Sequence, residues 1–119
     1  SEEFMAMARE RLGLARTALV AGFHSGAVSA AYYAMLYAAR AALSEEDRYA
    51  KTHTGTWRLF GELFVESRRF DRELFGHARK TQPVREGADY DARTVPPEQA
   101  EAIVALAERF VAAVAEVFP

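Results

Sequence analysis

The chain has 119 residues, a length typical of one domain and sufficient to bury a hydrophobic core without disulfides. Half of the residues are hydrophobic and 27% are charged, which is a globular composition and excludes a disordered chain. The formal net charge of −2 gives no overall attraction to nucleic acid or anionic lipid, so any such binding has to be local. The absence of cysteine excludes disulfides and favours a reducing, cytoplasmic location.

The first half of the sequence predicts two long helices joined by a short turn. From Glu3 to Ala21, apolar residues recur every three or four positions, which is the pattern of an amphipathic helix. Gly22 suits the end of this helix, and Ser25 offers a side-chain cap for the next one. We expect that second helix to run from Ser25 to Leu43 and, because it is apolar nearly all round, to lie at the centre of the fold.

The second predicted helix also bears on membranes and on assembly. Its apolar run, residues 27–43, is interrupted by Ser29 and Arg40, so it is too short and too polar to span a bilayer. Its alanines form a stripe along which another backbone can approach closely, and for this reason we expect a homodimer. The stripe consists of Ala27, Ala31, Ala34, Ala38 and Ala42.

The second half predicts two more helices and a long irregular segment. Thr52 or Thr54, with Gly55, opens a third helix that bends or breaks near residues 67–70. From about 82 to 97 the helical pattern fails at three prolines and a glycine, so we expect a loop there. Pro97 suits the first turn of a fourth helix. The sequence therefore predicts one all-α domain, residues 1–119, folded as an antiparallel four-helix up-down bundle.

Three motifs resemble those of one family in order and spacing. They are the tyrosine- and alanine-rich run Ser29–Ala39, the turn Lys51-Thr52-His53-Thr54-Gly55, and the segment Arg85-Glu86-Gly87-Ala88-Asp89-Tyr90. Over essentially its whole length the chain resembles the HEPN family (higher eukaryotes and prokaryotes nucleotide-binding). It departs from many members at Ala30, where they have arginine.

The resemblance implies a function but leaves the activity open. The family includes ribonuclease toxins that nucleotidyltransferase partners neutralise, and members that only bind nucleotides or other proteins. It therefore implies a toxin-like component of a toxin–antitoxin pair, a homodimer that binds or cleaves RNA or binds a nucleotide, without a cofactor or metal. The alternative is a non-catalytic nucleotide-binding or adaptor module.

The ribonuclease members of this family carry a motif in which an arginine is followed by four to six residues and then a histidine. Here Asp89 and Tyr90 follow Arg85, and no histidine occurs after His77. Two literal matches, Arg48 to His53 and Arg72 to His77, lie away from the family's position. Metal-independent RNA cleavage is therefore one hypothesis and simple binding is another.

The candidate catalytic residues are Arg85 and His53. Histidine transfers protons near neutral pH, whereas arginine binds a scissile phosphate and stabilises developing charge. We expect Lys51, Asp89 and Tyr90 to line the same ligand site, and the Tyr90 hydroxyl is a candidate for modification by the partner. Structural roles are open alternatives: an Arg85–Asp89 ion pair, a helix cap at His53, and a solvated Lys51.

One face of the second helix extends this predicted site. Tyr33, Tyr37 and Arg40 are spaced so that they share a face, where the rings could stack on bases and the arginine bind phosphate. Packing in the core or at an interface is the alternative. Residues 68–85 form the most basic stretch and are a second candidate for RNA. We expect the Lys51–His53 turn and the Arg85–Tyr90 segment to converge beside the second helix around one anion.

Overall fold

Two long antiparallel helices form the first half of the fold. In the computed structural model, which describes residues 1–90 and 94–118, helix α1 spans Glu2–Val20 and α2 spans His24–Glu45. The amine of Ser1 donates to the Ala41 carbonyl at 2.9 Å, which places the start of α1 beside the end of α2. Both predicted helices are confirmed.

The turn between these helices forms through the backbone alone. Gly22 has a left-handed φ of 84°, which glycine adopts without strain. The amide of Phe23 donates back to the Ala18 carbonyl at 2.8 Å and closes α1. The predicted cap at Ser25 is wrong, because α2 already begins at His24 after Phe23, which makes no side-chain cap.

Helix α2 lies at the centre and packs against α1, α3, α5 and α6. All five alanines of its small-residue stripe are at most 2% exposed. Small side chains let the neighbouring helices of the same chain approach closely, so the stripe is buried within the protomer. The stripe offers no surface to a second copy, so it does not support the predicted homodimer.

Helix α3 spans His53–Phe60 and continues as a short π-helix, Gly61–Val65. Thr52 caps it by accepting from the Gly55 amide at 2.9 Å, as one of the two predicted caps. Helical structure then ends, and Arg68 takes a left-handed φ of 65°. The predicted break near residues 67–70 is confirmed.

After the break, the chain forms helix α4, Arg72–Arg79, and helix α5, Thr81–Tyr90. The predicted loop at 82–97 is wrong over residues 82–90. Pro83 lies in the first turn of α5, where a backbone N–H has no acceptor within the helix, so the proline costs little. Arg85 and Asp89 lie one turn apart and pair along it.

Helix α6, Pro97–Val117, begins at Pro97 as predicted. Its Phe110 packs against Trp57 and Phe60 of α3 and against Phe70, which precedes α4, and Phe75 of α4 packs on Phe60 in the same aromatic core. The described residues contain α-helices and one π-helix but no strand, which confirms the all-α class. Among those residues, no helix has the length and apolar character needed to cross a membrane.

Candidate functional site

Charged and aromatic side chains from four helices meet beside the middle of α2. The His53 ring meets Tyr33 edge-on at 5.7 Å, and the guanidinium groups of Arg85 and Arg11 lie 5.4 and 5.7 Å from the centre of the Tyr33 ring. We call this group the Tyr33 cluster. Its members are Arg11, Tyr32, Tyr33, Tyr37, Arg40, His53, Arg85 and Asp89, and the backbone of Lys51 joins them through Arg40.

The structure thus brings the two predicted segments together. His53, in the first turn of α3, and Arg85, in the middle of α5, both contact Tyr32 and Tyr33 of α2. Their roles toward a ligand stay predictions. Of Tyr90, the last residue of α5, the structure describes the backbone alone, so its predicted modification lies outside the described side chains.

A buried hydrogen-bond chain holds His53. The indole N–H of Trp57 donates to the Tyr32 hydroxyl at 3.2 Å, and the same hydroxyl lies 3.2 Å from His53 Nδ1. Tyr32 is fully buried and Trp57 is 1% exposed. Burial raises the pKa of the Tyr32 hydroxyl, which therefore stays protonated at neutral pH.

His53 lies in an environment that favours its neutral form. Partial burial lowers the pKa of its imidazole, because transfer out of water disfavours the charged ring. The positive charges of Arg40 and Arg85 lower this pKa further, while the carboxylate of Glu86 acts weakly in the opposite direction. His53 is therefore predominantly uncharged near neutral pH.

Arg85 is buried inside this cluster and compensated by acids. Its side chain is 6% exposed, and Nη1 donates to Asp89 Oδ2 and to the Tyr33 hydroxyl, both at 3.3 Å. Glu86 lies 3.9 Å from Nη2, and Ser29 donates to Asp89 at 3.5 Å. The Arg85–Asp89 ion pair that the sequence offered as a structural role is therefore present. In this conformation Arg85 holds Tyr33 and Asp89 in position inside the cluster.

Arg40 and Lys51, like Arg11 on α1, are cations of this region that no carboxylate of the described residues compensates. Arg40 Nη2 reaches the Lys51 carbonyl at 3.5 Å, and its guanidinium lies 5.6 Å from the centre of the Tyr49 ring. Within residues 1–90 and 94–118, neither Arg40 nor Lys51 has a carboxylate within ion-pair distance, and buried Arg40 Nε has no acceptor. Lys51 is exposed. An anion could bind here without displacing an acid.

Tyr37 and Arg11 mark the α1 edge of the cluster. Tyr37 stacks on Phe4 at 6.4 Å, and Arg11 lies 5.6 Å from the centre of the Tyr37 ring. Arg11 was not among the site residues predicted from the sequence. The available signal was its spacing from Ala8 and Ala15, which places a charge on the buried stripe of an amphipathic helix.

The other predicted sites lie outside the cluster. In the basic stretch 68–85, only Arg85 is among the cluster's members, whereas Arg69 pairs with Glu46 and lies over the Phe64 ring. His77 is exposed on α4, where it pairs with Glu73 at 3.6 Å. No three His, Asp or Glu side chains of the described part lie close enough together to hold a metal ion.

A model of the HEPN domain matches residues 1–117 of the chain. The chain belongs to the HEPN domain family. This match extends over all six helices described above, and it confirms the resemblance inferred from the three motifs.

Relatives of this HEPN chain include proteins named as toxins. "Putative toxin MJ0605" of Methanocaldococcus jannaschii is 33% identical over 92% of the chain and 84% of its own length. "Putative toxin MJ0142" of the same organism is 35% identical over 66% of the chain, a match that spans about half (54%) of that relative. "UPF0332 protein glr0978" of Gloeobacter violaceus is 30% identical over 90% of the chain and 85% of its own length.

Proposed function

We propose that this HEPN chain is the toxin-like component of a toxin–antitoxin pair, acts in the cytoplasm, and binds RNA through the Tyr33 cluster. The names of two relatives support the toxin-like role. The observation that carries the ligand assignment is the juxtaposition of His53 with Arg40, a cation that has no carboxylate partner among the described residues and whose charge acts on the His53 ring. A ribose-phosphate backbone supplies anionic oxygens for such a site.

The aromatic part of the cluster suits single-stranded RNA. Tyr33 and Tyr37 are partly exposed, with ring centres 6.2 Å apart. Unpaired bases stack on such rings without strong sequence preference, while arginine and lysine bind the phosphates. Arg85, paired with Asp89, donates to the Tyr33 hydroxyl and so holds this ring of the platform in place.

Binding of a labelled single-stranded RNA, followed by fluorescence anisotropy at several salt concentrations, tests this proposal. Each phosphate contact contributes about −0.7 to the slope of log K against log salt concentration. Arg40→Gln should therefore weaken binding and make the slope shallower by about 0.7. Arg79→Gln removes the same charge from an exposed position on α4 and is the matched control. Equal losses in both variants would contradict the assignment.

The second candidate is a non-catalytic nucleotide-binding or adaptor module. The observation in its favour is that, of the three histidines, only His53 lies in the cluster, since His77 pairs with Glu73 and His24 begins α2. Incubation with total RNA discriminates between the two. Degradation by wild type and by His77→Gln, but not by His53→Gln, would assign cleavage to the cluster. Intact RNA together with calorimetric binding of purine nucleotides would favour the module.

The proposal includes two protein partners. One is a nucleotidyltransferase that acts as antitoxin or modifies Tyr90, and the other is a second copy of the chain, which would add a second His53 to a shared site. Co-expression should yield a stable complex with such an enzyme, and mass spectrometry should find a nucleotidyl group on Tyr90. Light scattering that shows only monomer at micromolar concentration would contradict the shared site.

A further inference from the structure

We propose that Tyr32 is a positioning residue, supported by Trp57, that holds His53 in the neutral tautomer with its proton on Nε2. In this tautomer His53 presents an N–H donor to an anionic oxygen of the ligand. The donor geometry follows from the fold alone, whereas the identity of that oxygen as a phosphoryl oxygen rests on the proposed function.

The direction of the hydrogen bonds in this chain follows from its first group, the indole N–H of Trp57. An indole N–H can only donate, so the Tyr32 oxygen is the acceptor of the bond from Trp57. Tyr32 is fully buried, so its own hydroxyl proton needs an acceptor within the protein. Among the described residues, the structure gives this hydroxyl one further polar neighbour, His53 Nδ1 at 3.2 Å. Nδ1 therefore accepts, and the ring proton resides on Nε2.

The opposite tautomer would leave a buried donor unsatisfied. With the proton on Nδ1, the Tyr32 oxygen would receive two donors, and its own O–H would point into the core with no acceptor. An unmade hydrogen bond of this kind disfavours a state by on the order of tenfold or more. Protonation of His53 has the same consequence, because the imidazolium also carries a proton on Nδ1.

The groups that face His53 add to this effect. They are Arg40 and the two tyrosines of α2, and Arg85 and Glu86 of α5. Among the described residues, the two arginines oppose a positive charge on the ring and Glu86 favours it. Near neutral pH the Nε2 atom therefore carries a hydrogen and cannot accept a proton there. His53 acts in this site as a donor that binds an oxyanion, beside Arg40.

Long-range proton–nitrogen NMR spectra of the histidine rings, recorded at about pH 8 where histidines are neutral, test the tautomer directly. His24, which has no hydrogen bond to its ring among the described residues, is the internal reference. We expect a larger Nε2–H fraction for His53 than for His24 in the wild type. The wild-type spectrum decides the tautomer whether or not any variant folds. A proton on Nδ1, or a fraction equal to that of His24, would overturn the proposal.

Tyr32→Phe identifies the residue responsible, because it removes the hydroxyl and keeps the ring. We expect its His53 to fall to the tautomer fraction of His24. Tyr33→Phe is the matched control: it removes the neighbouring hydroxyl, which bonds to Arg85, and should keep the wild-type fraction. An unchanged tautomer in Tyr32→Phe would refute the positioning role.

Titration with inorganic phosphate tests the donor role separately from the proposed function. It should shift the His53 Nε2 resonance in the wild type, and the shift should be smaller in Arg40→Gln. No shift would overturn oxyanion binding by His53. The expected tautomer together with a phosphate shift, but without RNA binding, would refute the proposed function and leave this inference standing.

Discussion

The two ends of α3 lie in environments of opposite kind. At its start, His53 and Trp57 belong to a chain of hydrogen bonds through the buried Tyr32 hydroxyl. At its other end, Phe60, together with Phe64 of the following π-helix, lies among other aromatic rings at centroid distances of 5.0–5.9 Å. The aromatic end depends on buried area, which has no direction, whereas the polar end depends on particular donors and acceptors.

The contrast between the aromatic end and the polar end indicates where function can reside. A ring packed by dispersion and burial contributes stability but presents no charge or proton. A buried hydrogen-bond chain contributes little net stability, yet it fixes the orientation and protonation of the group at its surface end. We therefore expect substitutions at the aromatic end to affect stability most and substitutions at the polar end to affect ligand binding most.

Phe60→Ala should have the largest effect on stability. Phe60 is 1% exposed and contacts four other phenylalanine rings, so its truncation should lower the free energy of unfolding by about 3–5 kcal/mol. Urea denaturation measures this loss. Phe60→Leu, which keeps most of the volume, should cost clearly less. A loss below about 1 kcal/mol for alanine would show that this end is not the core.

Arg85→Ala should have the second largest effect on stability and measures the contribution of the polar side of the fold. It leaves the Asp89 carboxylate without its partner and the Tyr33 hydroxyl without its donor. Because Asp89 is 28% exposed and keeps contact with water, we expect a loss of about 2 kcal/mol, below that of a fully buried pair. Arg85→Ala combined with Asp89→Asn should recover part of the loss. Additive losses in the double variant would contradict the ion pair.

Thr52→Ala should destabilise by about 1 kcal/mol, since it removes the side-chain cap of the Gly55 amide at the start of α3. Thr52→Ser, which keeps the hydroxyl, is the control and should lose only a fraction of this. Thermal melting followed by circular dichroism measures both. Equal destabilisation by alanine and serine would show that the hydroxyl does not cap the helix.

His53 should give the smallest effect, a dependence of stability on pH. Its pKa is lower in the folded chain than its ordinary value near 6.5, so the unfolded chain binds more protons in that range. Stability should therefore be highest above about pH 6.5 and fall as the pH drops through the folded pKa. Urea midpoints measured between about pH 5 and 8 should depend less on pH in His53→Gln. His77→Gln should keep the part of the pH dependence that comes from His53. A pH dependence of stability in His53→Gln equal to that of the wild type would contradict the lowered pKa of His53.

The sequence predicted the helices whose signals are local. The apolar periodicity of α1, the Thr52 cap and Pro97 at the start of α6 each follow from short-range rules. The helix at 81–90 was missed because Pro83 and Gly87 indicate a loop by composition. The position of Pro83 in a first turn and the burial of Gly87 become visible only in the fold. The boundary of α2 was set by backbone bonds at Phe23, for which sequence gives a weak signal.

The sequence predicted that most of the cluster residues would lie together, but it did not predict Arg11 and left open which charges would be paired with an acid. The three motifs predicted that His53 and Arg85 would meet beside the Tyr33 face of α2, and the structure brings these residues together. Asp89 compensates the charge of Arg85, whereas Arg40 has no such acid among the described residues. This difference depends on which side chains of the helical α5 face α2. The Tyr32 hydroxyl likewise gained its role from Trp57, which lies 25 residues further along the chain.

Growth of cells that express the chain measures whether a toxin-like activity resides in the Tyr33 cluster. Wild type and His77→Gln should both slow growth, whereas His53→Gln should not, at equal amounts of each protein in the soluble fraction on immunoblots. Equal arrest by His53→Gln and wild type would place the activity elsewhere. Unimpaired growth with the wild-type chain would contradict the toxin-like role itself.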